Sequence, residues 1–276
     1  MKSVIPLLAV LLACACGGSN AQPTAARPMP AFFENAGARL AFTIDFPEGQ
    51  PPFPAIVLGH GSGLITRQQL VWLSSQLTRL GFAVLRFDKR GVGESTGTYV
   101  NVGVRESPER FPLLASDIAA GVRFLRTRSE IHPNKIGLAG NSQAGWILPH
   151  AARDLGDAAF VLLLAGPVCT VGQEMFYSDI VEQDPSRTIA EAEAAMPNFT
   201  GAAGYDPLPI LRELNTPSFW VLGLEDRSIP VKVTVDHLAT LAAAGRPFEW
   251  RTYPGLGHSL GPQIWADIAP WLARFR

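Results

Sequence analysis

The sequence predicts an α/β fold, a mostly parallel sheet flanked by helices and carrying a cap insertion. Short, mainly apolar runs recur from residue 54 onward: "PAIVLG", "FAVLRFD", "KIGLAG", "FVLLLAG", "FWVLGL" and "FEWRTYP". A strand that is apolar on both faces is one covered on both faces, as in a parallel sheet with crossover helices. Stretches of helical periodicity separate these runs, which is the alternation such a sheet requires. The bulk properties agree: 276 residues, 47% hydrophobic and a formal charge of −1 suit one large globular domain.

The elements follow in order. "MKSVIPLLAVLLACACGGSNAQP" has one basic residue, an apolar run over residues 4–12 and small residues beyond, and reads as an export leader over residues 1–21. The run is too short to span a membrane. "LLAC" resembles a bacterial lipobox, so lipid attachment at Cys14 is the preferred reading, and cleavage after Ala21 is its alternative. The protein is then exported, as a membrane-anchored lipoprotein, a periplasmic protein or a secreted one. A Pro- and Ala-rich tether over residues 19–30 leads into the main domain, residues 31–276. "RLAFTIDFPEG" alternates apolar and polar residues as a half-exposed strand does, which predicts antiparallel edge strands at the start. Helices are predicted over residues 66–80, 111–130, 142–155, 233–244 and 262–275. In the second of these, Ile118, Val122 and Leu125 share one face, and Ser116 and Asp117 are read as caps of its first turn. Residues 168–216 are too long for a tight connection, and long insertions in compact domains are usually lids or binding loops. They hold the helical pattern "SRTIAEAEAAM" with Phe176 and Tyr177, and are read as a cap over a pocket to which those two aromatics contribute. No internal repeat or second domain is evident.

Balanced charge, with 23 basic and 24 acidic residues and no block of one sign, argues against a nucleic-acid partner and for a small substrate. Two of the three cysteines lie in the leader, and Cys169 is expected as a buried lone thiol, with Cys16 its only alternative partner. No metal or cofactor is expected, and the oligomeric state is not legible.

The chemistry centres on "GLAGNSQAGW". Ser142 follows the strand "KIGLAG" and precedes a helical stretch, the arrangement of a nucleophile elbow, whose sharp turn lifts Oγ clear of the sheet. Gly140 stands two residues before, where a side chain would meet neighbouring backbone. Two residues after stands Ala144 rather than glycine, with Gly145 next, so the G-x-S-x-G pattern is met in relaxed form. A serine hydroxyl needs a base, and the base needs an orienting acid. Of the five histidines, His258 lies in the Gly-rich loop "YPGLGHSLG" past the last strand, where open α/β sheets do chemistry. His60 is read as loop-stabilising, and His132, His150 and His237 as solvated or structural. Asp226, in "WVLGLEDRSIP", lies between nucleophile and base in chain order and is preferred over Glu225, Asp206 and Asp236. Oxyanion donors are read as the N–H of Gln143, at a helix N-terminus, and the N–H of Ser62 in "GHGSG". Gly63 is the rival donor, and Gly61 and Gly63 flank the substrate.

"VLGHGSG", "RFDKRGVGES", "GLAGNSQAGW", "VLGLEDRSIP" and "PGLGHS" resemble, in order and over nearly the whole mature length, segments of the α/β-hydrolase superfamily. The combination looks most like bacterial esterases of the group that includes dienelactone-hydrolase-like and prolyl-oligopeptidase-like serine hydrolases. The resemblance implies the α/β-hydrolase fold, with Ser142 as nucleophile, Asp226 as acid and His258 as base, and scaffolding roles for Asp88 and Arg90. Ala144 and the "LITR" that follows "HGSG" depart from the related pattern. The expected function is hydrolysis of carboxylic esters through an acyl-enzyme. The alternatives are a serine peptidase of aminoacyl or prolyl type and a non-catalytic binding protein on the same scaffold. The large N-terminal propeller of prolyl-oligopeptidase relatives is not expected, nor is an acidic pair placed to hold a peptide amine.

Overall fold

The computed structural model describes residues 31–276 apart from 183 and 185. The leader, with Cys14, Cys16 and Ala21, lies outside the described residues. Eight strands form one sheet in the order β1-β2-β4-β3-β5-β6-β7-β8. The chain enters through β1 (Ala31–Asn35) and β2 (Ala38–Asp45), which pair antiparallel with each other, and β2 then pairs antiparallel with β4 (Ala83–Phe87). From β4 onward, through β3 (Phe53–Gly59), β5 (Ile131–Asn141), β6 (Val161–Leu164), β7 (Ser218–Gly223) and β8 (Phe248–Tyr253), every pairing is parallel. The six apolar runs are these six strands, and the antiparallel edge lies where the alternating run predicted it. The domain has the α/β-hydrolase fold.

The two faces of the sheet bury separate cores. Val57, Leu85 and Leu138 project to one side, against α2 (Ser107–Arg126) and α3 (Ala144–Leu155). Ile56, Val84 and Ala139, their neighbours in sequence, project to the other, against α1 (Val71–Arg79) and α8 (Trp265–Leu272). The period of two along each strand serves both layers, so almost no polar residue is tolerated in the central strands. Burial of this kind stabilises by roughly 25 cal/mol per Å² of apolar surface and is the main force closing the domain.

Helix boundaries moved for identifiable reasons. α1 begins at Val71 rather than 66, because Arg67 donates its backbone N–H to Asp88 Oδ1 (2.7 Å) and its guanidinium to the same carboxylate. α2 begins at Ser107, before Phe111, since Pro108 is tolerated in the first turn, where its missing N–H has no helical partner. Asp117 therefore caps nothing: it lies in mid-helix, buried, paired with Arg90 and accepting from Asn35 Nδ2 (2.8 Å). The segment 168–216 carries three helices, α4 (Val171–Glu182), α5 (Ile189–Ala195) and α6 (Leu208–Glu213). α5 is the "SRTIAEAEAAM" pattern, started by Thr188 and Glu191 in a reciprocal capping box. α7 (Val231–Ala243) then leads into β8.

Strand order fixes where a site can form. The chain winds outward from β3 to β4 on one side, while β5 lies on the other. The loops after β3 and β5 therefore diverge and leave a crevice at the carboxyl ends of these strands, where open α/β sheets bind ligands.

Candidate active site

Ser142 stands at the end of β5 with φ 54°, one of three non-glycine residues in the left-handed region among the described residues. That conformation costs a residue with a Cβ on the order of 1–3 kcal/mol and persists only where its surroundings impose it. Here the backbone N–H of Ser142 donates to Leu164 O of β6 (2.9 Å), and its carbonyl accepts from Gly145 N (2.8 Å). The relaxed glycine pattern has a packing explanation. A Cβ at Gly140 would lie 2.6 Å from the Ala144 Cβ, while a Cβ at Gly145 would lie 2.7 Å from Pro167 N and 2.9 Å from Gly166 C. The tight approach between α3 and the loop after β6 thus falls at Gly145. Ala144 is tolerated because glycine at 140 leaves room for its methyl.

His258 Nδ1 stands 2.8 Å from Asp226 Oδ2. The second oxygen of that carboxylate accepts from the N–H groups of Ser228 (2.8 Å) and Ile229 (2.9 Å), so the whole group is fixed. Asp226 is fully buried, whereas Glu225 beside it is exposed and is held through its backbone N–H by Leu256 O (2.8 Å). Burial alone would push the His258 imidazolium down. The hydrogen bond and charge of Asp226, with Glu174 and Glu182 nearby, outweigh burial and hold it above its usual value.

Gln143 and Ser62 follow β5 and β3, the two strands that border the crevice. Among the described residues, neither backbone N–H has an acceptor within the protein. Lys89, which no sequence motif marks between Asp88 and Arg90, joins these two segments. Its buried ammonium donates to Gly61 O (2.8 Å), Gly63 O (3.3 Å) and Gln143 Oε1 (2.9 Å). Burial lowers it to about 8. His60 points away from this chemistry: buried, it donates from Nε2 to Phe87 O (2.7 Å), and burial drives it down to about 3. It is a neutral strut between the loop after β3 and the end of β4. Asp88 and Arg90 have the scaffolding contacts expected of them, Asp88 receiving Arg67 and the Glu94 N–H (2.9 Å) and Arg90 holding Asp117.

The cap residues differ from their expected place. Tyr177 is fully buried in a small core with Val181, Ala192 and Met196, where Phe176 packs at its edge against Phe199. Its hydroxyl donates to the backbone oxygen of Asp226 (2.8 Å). Ser228 bonds Glu182, and Arg227 bonds Val181 O, so α4 is latched along the acid loop. Tyr177 thus faces the acid, not a ligand cavity. Three residues before Tyr177, Glu174 lies in the field of the pair; burial, with the charges of Glu182 and Asp226 and against that of His258, raises it to about 7. At the base of the cap, Cys169 is buried, has no disulfide partner among the described residues, and its carbonyl accepts from Trp146 Nε1 (2.7 Å).

A cavity of about 300 Å³ opens on the other side of His258. Asn141, the residue before Ser142, and His258 share it with Leu70, Trp72, Leu164 and Leu260. Its walls come from the start of α1 and the histidine loop, not from α4. Among the described residues, no cluster of histidine, cysteine and carboxylate side chains is arranged to hold a metal ion.

The model of the prolyl oligopeptidase family matches residues 68–273. The acylamino-acid-releasing enzyme of Rattus norvegicus is 23% identical over 226 residues, covering 78% of this chain and 30% of that enzyme. The thiohydrolase aneE of Aspergillus aculeatus is 31% identical over 166 residues, 59% of this chain and 48% of that protein. The chain thus spans less than half the length of these curated relatives. An esterase of Pyrococcus furiosus superposes with a TM-score of 0.66 at 17% identity, covering 90% of both chains, and shares the fold.

Proposed function

The chain belongs to the prolyl oligopeptidase family, and from that footing we propose that it is a serine hydrolase cleaving small carboxylic esters. The observation that carries the reading is Ser142, held at φ 54° on the turn after β5, with the partly exposed His258 paired to the buried Asp226 in the loops that follow β8 and β7. In the first step His258 Nε2 accepts the Ser142 proton while Oγ attacks the ester carbonyl. The N–H groups of Gln143 and Ser62 receive the oxyanion, one such donor being worth roughly 2.7–4 kcal/mol in the transition state. His258 then returns the proton to the departing alcohol. Water, deprotonated by the same imidazole, releases the acid from the acyl-enzyme and restores Ser142.

The ester reading rests on the lining of the cavity beside Asn141 and His258, which is mainly leucine, isoleucine and tryptophan and includes no carboxylate or basic side chain other than His258. Such a wall suits an apolar acyl or alkoxy group. Glu174 favours a second reading, hydrolysis of aminoacyl amides, since a carboxylate near the acid–base pair can receive an ammonium. A fluorophosphonate probe followed by intact-mass analysis tests the nucleophile: one adduct on the wild type and none on Ser142→Ala supports the reading, while an unlabelled wild type leaves a binding protein. Turnover of p-nitrophenyl butyrate against an alanyl p-nitroanilide then separates ester from amide; preference for the anilide would overturn the ester assignment.

The leader supports a lipid-anchored, exported enzyme attached through Cys14. Metabolic labelling with palmitate checks this: label in the wild type that disappears in Cys14→Ser agrees, and an unlabelled wild type excludes it.

A further inference from the structure

Lys89 touches both halves of the expected oxyanion hole, and its geometry determines how one of them is aimed. It follows β4, two residues beyond Phe87. β4 is the neighbour of β3, and β3 of β5, so a side chain long enough to cross the end of β3 reaches the loop after β5. Lys89 does this. Its backbone is anchored by donation to Ile65 O (3.1 Å), and its four-carbon stem is buried. An ammonium has three hydrogens and accepts nothing. Here the three meet three acceptors: Gly61 O, Gly63 O and Gln143 Oε1.

The trans peptide turns those contacts into an orientation. In a planar trans unit the carbonyl of one residue and the N–H of the next point in opposite directions. Drawing Gly61 O onto the buried ammonium therefore aims Ser62 N–H the other way, toward the crevice. The loop itself gives little resistance to a wrong orientation: Gly63 stands at φ 87° and Ser62 is exposed. The third contact ties the same ammonium to Gln143, whose backbone N–H is the other donor. A cation below the hole also favours the negative charge that develops above it.

We propose that Lys89 is the positioning residue of the oxyanion hole, locking the Ser62 and Gln143 segments into one donor pair for the transition state. This rests on the serine-hydrolase reading above. Lysine suits the task because all three hydrogens are used, and the neutral amine could serve only two of the three acceptors. The charge is lost not far above neutrality, since burial lowers this group to about 8. Turnover is then expected to fall as the pH rises past that value.

The test compares the wild type with Lys89→Met on p-nitrophenyl butyrate, with circular dichroism and a thermal midpoint reporting the fold. A kcat lower by on the order of 100-fold at nearly unchanged KM is expected, because the lost interaction is made in the transition state. Inhibition by an aryl trifluoromethyl ketone, which forms an oxyanion on Ser142, should weaken in parallel, and the wild type's alkaline loss of kcat should vanish in the variant. A folded variant that keeps its kcat, or loses only KM, overturns the proposal while leaving the hydrolase reading intact. If Lys89→Met does not fold, the wild-type profile decides: kcat that stays level from neutrality to about pH 9.5 overturns it. A wild type inactive on every acyl substrate removes the reading and the proposal together.

Discussion

Asp226 Oδ2 lies 2.8 Å from His258 Nδ1, and its other oxygen is already shared by two backbone N–H groups. The imidazole is therefore held in one orientation, with Nδ1 as donor and Nε2 turned outward as acceptor. Replacing Asp226 with Asn keeps the size of the side chain but lets its amide donate to Nδ1, which forces the wrong tautomer. The expected result is a kcat lower by on the order of 10⁴-fold with little change in KM, the size of the corresponding loss in serine proteases. Steady-state kinetics on p-nitrophenyl butyrate measures it; a loss below tenfold would remove Asp226 from the triad.

The protonation of His258 sets the acid side of the pH profile. Only the neutral imidazole accepts the Ser142 proton, so kcat/KM should rise with pH through the His258 titration, above the usual imidazole value. Glu174 is one of the charges that hold it there, behind Asp226. Glu174→Gln removes that charge, so the imidazolium is less stabilised and the acid limb should move to lower pH. A limb that stays in place, or moves upward, would show that Glu174 does not act on His258.

The expected triad is legible in the sequence because each member is marked locally. Small residues surround Ser142, a Gly-rich loop surrounds His258, and each of the three follows an apolar run that becomes a strand. Lys89 and Tyr177 carry no such mark. Their roles come from contacts with residues 54 and 49 positions away, Gln143 and Asp226. In sequence, "DKRG" is a charged turn and "MFYSD" an apolar cap segment, and nothing near either names its partner. Asp117 shows the converse: Ser116-Asp117 has the composition of a helix cap, but the cation that claims it is Arg90, 27 residues upstream. In sequence, Phe176 and Tyr177 suggest a pocket lining because they are apolar and lie in an insertion. The same property lets them form a core of their own.

Packing at the elbow predicts which glycine is indispensable. A Cβ at Gly145 meets backbone atoms of Gly166 and Pro167, which cannot rotate away. Gly145→Ala should therefore overpack the contact between α3 and the loop after β6 and cost about 1–3 kcal/mol. Ala144→Gly restores the unrelaxed elbow pattern and should cost only about 0.5–1 kcal/mol, the usual effect of glycine in a helix. Chemical denaturation of the two variants checks the order. If Ala144→Gly proves the more damaging, the close approach is not at Gly145.

The apolar cavity beside His258 gives the prediction that bears most on substrate choice. Trp72 forms one wall and is 53% exposed, packing edge-on to Trp265 at 6.1 Å between ring centroids. A half-exposed side chain at the first turn of α1 can be shortened without opening the core, so Trp72→Ala should fold. The shortened wall lengthens a pocket of about 300 Å³, and each methylene seated in such a pocket changes transition-state binding by roughly 1–3 kcal/mol. The ratio of kcat/KM for p-nitrophenyl octanoate to that for the acetate should therefore rise by about tenfold or more. If the cavity holds the alcohol instead, the same rise should occur along a series of alkyl butyrates and not along the acyl series. A variant whose preferences are unchanged in both series would show that neither half of the substrate enters between α1 and the histidine loop.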